Sequence, residues 1–362
     1  MNKKLKILLF TETETGCYLY RAKIPGKFLE KRGHEVMTLA ANQNIVKMIQ
    51  APDVAVFYRG YRGDITGAVN QLKSLGIKII FDADDAVKKI KKSNPGYHEI
   101  AETFQSAEWL ARNADVITTT TVILGRYFKQ FNPNVAILPN SLDFESWKLR
   151  DFGNKRLRIG WSGGGSHCDD LLIILDVIRD LQKKHDFDFV LHGMTSLKTI
   201  EDWYNINVHA HGEGFKKSSA GLPIDRVIQK LKAIRYEFHP WVSIDEYPEV
   251  LRSLNLDIGL APLIVNDFNN KKSCLKFYEY AAVGTVTLAS NALPYSEEVQ
   301  YVAKNNYADW YQKLEYLLNH FSENLYEPQR KWVIQNRNAE RNVENWEKVY
   351  ADTAGLSVEV LN

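Results

Sequence analysis

The sequence predicts an α/β protein made of two consecutive domains, each built on a parallel sheet. Apolar runs at residues 6–10 and 157–161 have the composition of strands buried on both faces, and a glycine-containing loop and a helical pattern follow each. Strand and helix patterns alternate along both halves, as expected of βαβ units. At 362 residues the chain is long enough for two such units. We therefore expect two consecutive α/β domains with parallel sheets.

The composition is that of an ordinary globular protein, with 45% hydrophobic and 25% charged residues. A net charge of +2 gives no reason to expect a general binder of polyanions. The cysteines Cys17, Cys168 and Cys274 are scattered, which favours a reducing compartment over a disulfide framework or a zinc cluster. The first apolar run ends at Phe10, too early for a signal peptide, and no run reaches transmembrane length. A cytoplasmic location is expected.

In the first half, several side chains follow the predicted strand ends, the edge at which open α/β sheets bind ligands. Strands are predicted at residues 6–10, 35–40, 53–58, 77–81, 114–119 and 135–138. The loop after the first strand contains Gly16, and a helix over about residues 20–32 begins with Tyr20 and Arg21 and ends at Gly33. Arg21 is placed to meet an anionic ligand. Arg59 follows the third strand and reaches the same edge.

Acidic residues follow the fourth strand as Asp82-Ala83-Asp84-Asp85. Three interpretations remain open. In the first, the carboxylates hold a metal ion that binds a diphosphate. In the second, they bind an acceptor hydroxyl or hold the active-site loop. In the third, they cap a helix N-terminus. The lysine run at residues 88–92 is interpreted either as a solvated face or as a guide for an anionic acceptor.

The second half repeats the pattern, with a glycine-rich turn, Ser162-Gly163-Gly164-Gly165-Ser166-His167, between a strand and a helix over about residues 169–184. Glycines before a helix N-terminus suit a phosphate, although one such turn is weak evidence. Trp241 follows a strand-like segment and is interpreted either as a stacking partner for a nucleotide base or as a buried core residue. His209 and His211 alternate, which fits a metal pair or one face of a strand end.

A helix is predicted between the strand signals at residues 256–262 and 285–290. Ser273 is the predicted N-cap and Gly284 the stop signal. Spacings of three and four place Ser273, Lys276 and Glu279 (or Tyr280) on one face. A hydroxyl, the lysines Lys272 and Lys276 and unpaired N–H groups at this helix start suit a diphosphate, and Glu279 could bind sugar or ribose hydroxyls. The alternative is an amphipathic surface helix.

Three segments resemble the group-one family of retaining, nucleotide-sugar glycosyltransferases. The run Lys272-Ser273-x-x-Lys276-x-x-Glu279-Tyr280-x-x-x-Gly284 is similar to that family's donor-binding helix. Pro139-Asn140-Ser141-Leu142-Asp143 is similar to its interdomain Pro-Asn-Gly-x-Asp element, with serine in place of glycine. Residues 346–350 look like its final helix. The resemblance implies the GT-B fold, in which two Rossmann-like domains with parallel sheets face a central cleft and a C-terminal helix crosses back to the first domain.

The implied division is an acceptor-side domain at residues 1–145, a linker at 146–156, a donor-binding domain at 157–325 and a returning helix at 326–362. The resemblance implies three groups of site residues. The expected catalytic residues are Lys276 and Glu279. The expected donor-binding residues are Gly16, Ser162, Gly163, Gly164, His167, Trp241, Lys272 and Ser273. The expected acceptor-side residues are Tyr20, Arg21, Arg59, Asp84 and Asp85.

Two positions depart from the family's pattern. His167 lies where many members carry an arginine and a lysine, which leaves more of the diphosphate charge to Lys272 and Lys276. Lys271 occupies the position of the first of two glutamates that usually flank the donor, the second being Glu279. This second departure puts the choice of donor hydroxyls in question.

The expected function is retaining transfer of a hexose from a nucleotide-diphosphate sugar, most simply a UDP-sugar, to a hydroxyl of a glycan or lipid-linked acceptor. The expectation includes no metal and no cofactor besides the donor. Peripheral contact with a membrane is compatible with such an acceptor. The alternatives are glucosylation of a modified base in phage-type DNA, binding of nucleotide sugars without turnover, and epimerisation of a nucleotide sugar.

Overall fold

The computed structural model describes residues 4–11, 16–40, 52–60, 63–92, 97–164, 167–193 and 223–356. These residues form two six-stranded sheets in which all pairs of neighbouring strands are parallel. The first sheet contains β1 (Lys6–Thr11), β2 (Glu35–Ala40), β3 (Val54–Tyr58), β4 (Lys78–Ala83), β5 (Val116–Thr119) and β6 (Val135–Ile137). The second contains β7 (Leu157–Gly163), β8 (Phe187–Gly193), β9 (Glu237–His239), β10 (Ile258–Ala261), β11 (Val286–Ser290) and β12 (Tyr301–Ala303). The prediction of two parallel-sheet α/β halves is confirmed.

Helices connect the strands. The first, α1, runs from Gly16–Tyr18 through a π-helical turn at Leu19–Lys23 into Ile24–Lys31. In the first half it is followed by α2 (Ile65–Ser74), α3 (Tyr97–Ala101), α4 (Phe104–Asn113) and α5 (Val122–Phe128). The second half contains α6 (Cys168–Leu181), α7 (Pro223–Leu231), α8 (Tyr247–Ser253), α9 (Leu275–Ala282), α10 (Leu293–Ser296), α11 (Tyr307–Asn319), α12 (Glu327–Asn336) and α13 (Ala339–Thr353). The sequence patterns did not single out strand β12 or helices α2, α3, α4, α7, α10 and α11.

The strand order of each sheet reverses at one point, and these two points place the ligand-binding loops. The orders are β2-β1-β3-β4-β5-β6 and β12-β11-β10-β7-β8-β9. In the first sheet the connections diverge between β1 and β3, and in the second between β7 and β10. Loops at such a divergence leave a crevice at the carboxyl ends of the strands. The loops after β7 and β10 carry the predicted glycine-rich turn and the predicted donor-binding segment.

The C-terminal segment crosses back onto the first domain, as predicted. Helix α13 packs against α1, and Glu347 accepts hydrogen bonds from Arg32 Nε at 2.6 Å and lies 3.0 Å from His34 Nε2. Its Trp346 and Tyr350 are buried in the same apolar cluster as Leu5 of the first domain.

The returning helix expected at residues 326–362 is not continuous, however. Between α12 and α13 the chain extends and pairs with the interdomain element. The Leu142 amide donates to the Arg337 carbonyl at 2.7 Å, and the Ala339 amide donates to the Leu142 carbonyl at 3.0 Å. The Asn338 side chain then caps α13 by accepting a hydrogen bond from the Glu340 amide at 2.9 Å.

The segment at residues 146–156, which we expected to be a polar linker, runs between β6 and β7 and is fastened to the second sheet. Arg150 is buried and donates to Asp257 Oδ1 at 2.8 Å and to the Gly284 carbonyl at 3.1 Å. Trp147 is also buried. In the described part of the chain, no helix is long and apolar enough to cross a bilayer.

Candidate active site

A cavity of about 570 Å³ lies between the two halves and is lined by loops of both. The first half contributes the start of α1 and the loops after β3 and β4. The second half contributes the loops after β7 and β10, the start of α9 and the end of β8. All but one of the site residues predicted from the sequence line this cavity. The exception is Arg21.

The segment predicted to bind the donor folds into the predicted helix with one change at its start. Helix α9 begins at Leu275, and its N-cap position is Cys274 instead of Ser273. The Ser273 hydroxyl instead accepts a hydrogen bond from Asn140 Nδ2 of the interdomain element at 3.0 Å. Gly284 ends the helix with φ +82°, a backbone conformation that favours glycine. Ser273 therefore joins the start of the helix to the segment between the domains.

Lys276 faces the cavity from the first turn of α9. Its ammonium donates to the Ser162 carbonyl at the end of β7 and lies 5.1 Å from the centroid of the Trp161 ring. Within the described residues it forms no ion pair with a carboxylate. Burial, with a smaller contribution from the charge of Lys272, lowers the pKa of Lys276. An unneutralised cation at a helix N-terminus is suited to an anionic ligand.

Gly163 allows this approach of the lysine. A Cβ atom at Gly163 would lie 2.7 Å from Lys276 Nζ and 2.7 Å from the Trp161 ring. Glycine is thus required here by close packing. Gly16 and Gly164 also line the cavity, but a Cβ atom at either position would meet no heavy atom within 4 Å. Gly165 and Ser166 of the predicted turn lie outside the described residues.

Lys272 spans the cleft. Its ammonium lies 3.2 Å from Asp85 Oδ1 on the opposite domain and 4.5 Å from the centroid of the Phe268 ring. Asp85 also accepts from Arg59 Nη2 at 2.9 Å, and Arg59 Nε donates to Asp84 at 2.7 Å. Burial alone would raise the pKa of Asp84, but the charge and hydrogen bonds of Arg59 hold it well below its usual value. The charges of Arg59, Asp84 and Asp85 in the first half therefore form one network that extends to Lys272 in the second half.

Glu279 is buried at the cavity wall and its two carboxylate oxygens bind different tyrosines. Tyr20 of α1 donates to Oε1 at 2.7 Å, and Tyr247 at the start of α8 donates to Oε2 at 2.9 Å. Burial raises the pKa of Glu279, whereas these hydrogen bonds act in the opposite direction. Because a carboxylate has about four acceptor positions, Glu279 can still accept from a ligand hydroxyl.

The hydrogen bonds continue from Tyr247 into the second sheet. The Tyr247 hydroxyl lies 3.1 Å from Ser162 Oγ, which lies 2.9 Å from His192 Nδ1. The His192 ring is stacked against Tyr247 with centroids 5.7 Å apart. Sequence reasoning missed both Tyr247 and His192, because their contacts depend on the adjacency of β7 and β8 and on where α8 begins.

His167 lies at the N-cap position of α6, where the family it resembles often has basic residues. Its Nδ1 is 2.7 Å from Asp170 Oδ2, and Asp170 Oδ1 accepts from the Ile264 amide at 2.7 Å. Burial lowers the pKa of His167. His167 is therefore poised to meet a ligand as a neutral hydrogen-bonding group, and it ties the loops after β7 and β10 together.

Trp241 follows β9 and is 61% exposed, so the alternative of a buried core tryptophan is wrong. It lines the cavity as a flat apolar surface. Such a surface is available for stacking on a nucleotide base.

Arg21 does not reach the cavity, and our expectation that it meets an anionic ligand needs correction. Its guanidinium is buried and forms a bidentate pair with Asp82 at 3.0 and 2.6 Å. It also donates to the Leu138 carbonyl and to Asn140 Oδ1, and it lies 4.5 Å from the centroid of the Trp346 ring. Arg21 therefore joins the first sheet, the interdomain element and the returning helix.

Lys271, in place of the family's usual glutamate, is turned away from the cavity. Its ammonium donates to the Asp267 carbonyl at 2.7 Å and lies 5.6 Å from the centroid of the Tyr127 ring. It is not among the residues that line the cavity, whereas its neighbour Lys272 is. The extra positive charge at this position is therefore engaged by Asp267 of the same loop.

The described residues contain no group of three or more His, Cys, Asp or Glu side chains that could hold a metal ion. Asp82 and Asp84 are paired with different arginines, Arg21 and Arg59, and Asp82 also accepts from Thr118 Oγ1 at 2.6 Å. His209 and His211 lie outside the described residues. In the lysine run, Lys88 is paired with Glu108 and Lys89 with Asp267, whereas Lys91 lines the cavity.

Comparisons of the sequence and of the fold give different results. No protein-family model matches the sequence, and no curated protein matches it. Solved structures match the fold over nearly the whole chain. The catalytic domain of starch synthase IV from Arabidopsis thaliana, bound to ADP and acarbose, is 9% identical with a TM-score of 0.67, and the match covers 98% of this chain and 100% of that one.

Two further structural neighbours differ in what was bound to them. An α-glucosyltransferase in complex with UDP and a 13-mer DNA containing an HMU base is 12% identical with a TM-score of 0.63, and 97% of this chain and 100% of that one are covered. The lipopolysaccharide outer core galactosyltransferase WaaB, in its apo form, is 9% identical with a TM-score of 0.56, and 96% of this chain and 99% of that one are covered. These neighbours are GT-B glycosyltransferases, and the chain has the GT-B fold, as predicted.

Proposed function

We propose that the protein binds a nucleotide-diphosphate sugar in the cleft and transfers its sugar to an acceptor hydroxyl. The observation that carries this proposal is the position of Lys276, a cation without a carboxylate partner among the described residues, on the first turn of a helix that faces the cavity. Lys272 lies next to it, and the glycine edge of β7 leaves room for phosphate oxygens. Structural neighbours crystallised with UDP, UDP-glucose or ADP support this choice of ligand.

In this proposal the two lysines stabilise the negative charge that develops on the leaving nucleoside diphosphate. Preformed cationic and N–H groups act strongly in a cleft because they need little reorganisation during the reaction. Lys272 would exchange its contact with Asp85 for the diphosphate, since a diphosphate offers more negative charge than one carboxylate that Arg59 already neutralises. No metal is required to neutralise the leaving group in this scheme.

Glu279 would orient the donor through its sugar or ribose hydroxyls, with the two tyrosines fixing the position of the carboxylate. Retention of the anomeric configuration is part of the proposal. An inverting enzyme needs a base to activate the acceptor. Of the five carboxylates that line the cavity, Glu279, Asp84, Asp85 and Asp170 are held by hydrogen bonds from protein groups, which favours positioning roles for these four. The fifth is Asp169, so the retaining mechanism requires that Asp169 is dispensable for transfer.

The proposed acceptor is a hydroxyl of a glycan or lipid-linked sugar. A modified base in DNA is the second candidate, because a structural neighbour that covers 97% of this chain was solved with DNA. Among the basic groups near this edge of the cleft, Arg59, Lys88 and Lys89 pair with carboxylates, whereas Lys91 lines the cavity without an ion pair among the described residues. Because three of these cations are already paired, we place the glycan acceptor first.

A screen of nucleotide sugars by thermal shift, followed by product analysis, tests the proposal. UDP-glucose, UDP-galactose, UDP-N-acetylglucosamine and ADP-glucose would each be compared with the free nucleotide, since a specific ligand raises Tm. We expect one sugar nucleotide to stabilise the protein and to be consumed only when an acceptor is supplied. Isomerised donor without acceptor would indicate an epimerase, and binding without turnover on any acceptor would indicate a silent binding protein. If DNA is the acceptor, its affinity should fall steeply with salt.

A further inference from the structure

His192 ends a chain of hydrogen bonds that crosses the cleft wall. The chain runs from Tyr20 through Glu279, Tyr247 and Ser162 to Nδ1 of His192, with successive distances of 2.7, 2.9, 3.1 and 2.9 Å. The His192 ring is 3% exposed and belongs to the cavity lining. Its other ring nitrogen, Nε2, is buried and has no hydrogen-bond partner among the described residues.

The order of donors and acceptors in this chain fixes where each proton lies. An ionised Glu279 can only accept, so the Tyr247 hydroxyl donates to it. The Tyr247 oxygen then accepts from Ser162, whose single proton is used in that bond. Ser162 Oγ must therefore accept from His192, so that His192 carries its proton on Nδ1. This tautomer is assigned from the network of hydrogen bonds.

A neutral His192 protonated on Nδ1 has a bare acceptor at Nε2. The neutral form is favoured because burial, together with the nearby charge of Lys276, lowers the pKa of the ring to about 4. Leaving a buried acceptor without a donor is costly in free energy. A ligand that supplies an O–H group there would remove that cost when it binds.

The position of Nε2 restricts which part of a ligand can supply this group. Ser162 contacts His192 through its hydroxyl and Lys276 through its carbonyl, so His192 lies beside the lysine that faces the proposed diphosphate. The groups that flank a diphosphate in a nucleotide sugar are the ribose and the transferred sugar, and both carry hydroxyls.

We infer that Nε2 of His192 accepts a hydrogen bond from a hydroxyl of the bound nucleotide sugar and thereby helps to select the donor. This role rests on the proposed function. The ligand hydroxyl belongs either to the ribose or to the transferred sugar, and the experiment below separates the two sources. A site built to bond a hydroxyl strongly disfavours analogues that lack it.

Two substitutions separate a ligand contact from a purely structural role. In His192→Gln the end of the amide lies near the position of Nε2 and keeps an acceptor there, but the bond to Ser162 is lost. In His192→Asn the amide N–H replaces Nδ1–H and keeps the bond to Ser162, but the acceptor at Nε2 is lost. Binding of UDP-glucose would be measured by calorimetry, and Tm without ligand would check the fold. We expect roughly tenfold weaker binding for Asn and substantial retention of affinity for Gln.

Deoxy analogues identify the hydroxyl. UDP-glucose analogues lacking one sugar hydroxyl, and analogues lacking the ribose 2′- or 3′-hydroxyl, would be compared on the wild type and on His192→Asn. On the wild type, one analogue should bind about tenfold less tightly than UDP-glucose. On His192→Asn, the same analogue and UDP-glucose should bind with about equal affinity. The imidazole ¹⁵N signals of the ligand-free wild type should show a protonated Nδ1 and an unprotonated Nε2.

The outcomes distinguish the inference from the function on which it rests. If UDP-glucose binds the wild type and His192→Asn equally well, the role of His192 is overturned and the proposed function stands. If His192→Asn keeps the wild-type affinity for UDP-glucose and His192→Gln loses it, the bond to Ser162 is what matters. The residue is then structural and the inference is also overturned. If neither UDP-glucose nor the other nucleotide sugars of the screen bind the wild type, the proposed function fails and this inference fails with it.

Discussion

The hydroxyl of Tyr20 donates a hydrogen bond to the Glu279 carboxylate at 2.7 Å, although 259 positions separate the two residues in the sequence. Tyr20 belongs to the first helix of the first half, and Glu279 belongs to the helix of the second half that presents Lys276. The bond therefore fixes the Glu279 carboxylate relative to the first half. Its partner bond from Tyr247 comes from the second half itself, so the two tyrosines can be compared directly.

Tyr20→Phe should lower the free energy of unfolding by about 1–3 kcal/mol, because it removes one donor from a buried carboxylate. We expect the donor KM to rise as the Glu279 carboxylate loses its fixed position. Denaturant unfolding and initial-rate kinetics would measure the two effects, and Tyr316→Phe, at a residue 53% exposed, is the matched control. Wild-type stability and KM in Tyr20→Phe would show that the bond does not position Glu279.

Lys276→Ala should reduce kcat on the order of a hundredfold or more if the lysine stabilises the leaving diphosphate, as removal of an oxyanion donor does. The fold should persist, because among the described residues the Lys276 side chain donates one hydrogen bond, to a backbone carbonyl. Lys183→Ala, at a largely exposed lysine paired with Asp180, is the control. Unchanged donor affinity and turnover in Lys276→Ala would place the active site elsewhere.

Transfer should survive EDTA, because lysines and a helix N-terminus are available for the diphosphate and because Asp82 and Asp84 are already paired with arginines. Asp84→Asn would lower the free energy of unfolding, since it breaks the pair with Arg59, but it should create no dependence on manganese. Activity that disappears with EDTA and returns with manganese would instead make these aspartates metal ligands.

Arg21→Met should destabilise the protein by roughly 3–5 kcal/mol, because it leaves the buried Asp82 carboxylate without its cation. The protein that remains folded should bind donor with nearly wild-type affinity, since Arg21 does not line the cavity. Chemical denaturation and calorimetry at low temperature would separate the two effects. A loss of donor affinity at wild-type stability would restore the original ligand-binding interpretation.

The pH dependence of stability should carry the signature of His192. Burial lowers the pKa of its ring from 6.5 to about 4, so between these values the unfolded chain binds a proton that the folded chain does not. The stabilisation present above pH 6.5 is therefore lost progressively as the pH falls towards 4. His192→Gln removes the imidazole that binds this proton. The free energy of unfolding of the variant should therefore vary less steeply with pH between 4 and 6.5. Parallel curves for the two proteins would contradict the buried neutral ring.

Local patterns predicted the parts of the site that one element determines. The spacing of Lys276 and Glu279 on α9, and the stop at Gly284, follow from helix geometry and from the backbone freedom of glycine. Arg21 was misplaced because an arginine at a strand–helix junction suits either a ligand or a carboxylate, and its partner Asp82 is 61 positions away. The direction of the Lys271 side chain could not be predicted either, because its partners depend on the conformation of the loop after β10.

Contacts between elements could not be predicted from the sequence. His192 and Ser162 meet only because β8 pairs with β7 in a register that places them side by side. Nothing local to Tyr247 indicates that its hydroxyl will reach Glu279. The break between α12 and α13 likewise depends on Leu142, which pairs with Asn338 from the other end of the chain.

The return of α13 onto the first domain also constrains the order in which the protein matures during synthesis. Trp346 and Tyr350 complete the apolar cluster that contains Leu5 and Leu9 of β1. The first domain leaves the ribosome early, yet that face of it remains uncovered until residues 339–353 have been translated. Exposed apolar surface of this kind promotes aggregation of incomplete chains. A chaperone would therefore be needed most before residues 339–353 are translated, while the apolar face of the first domain is still exposed.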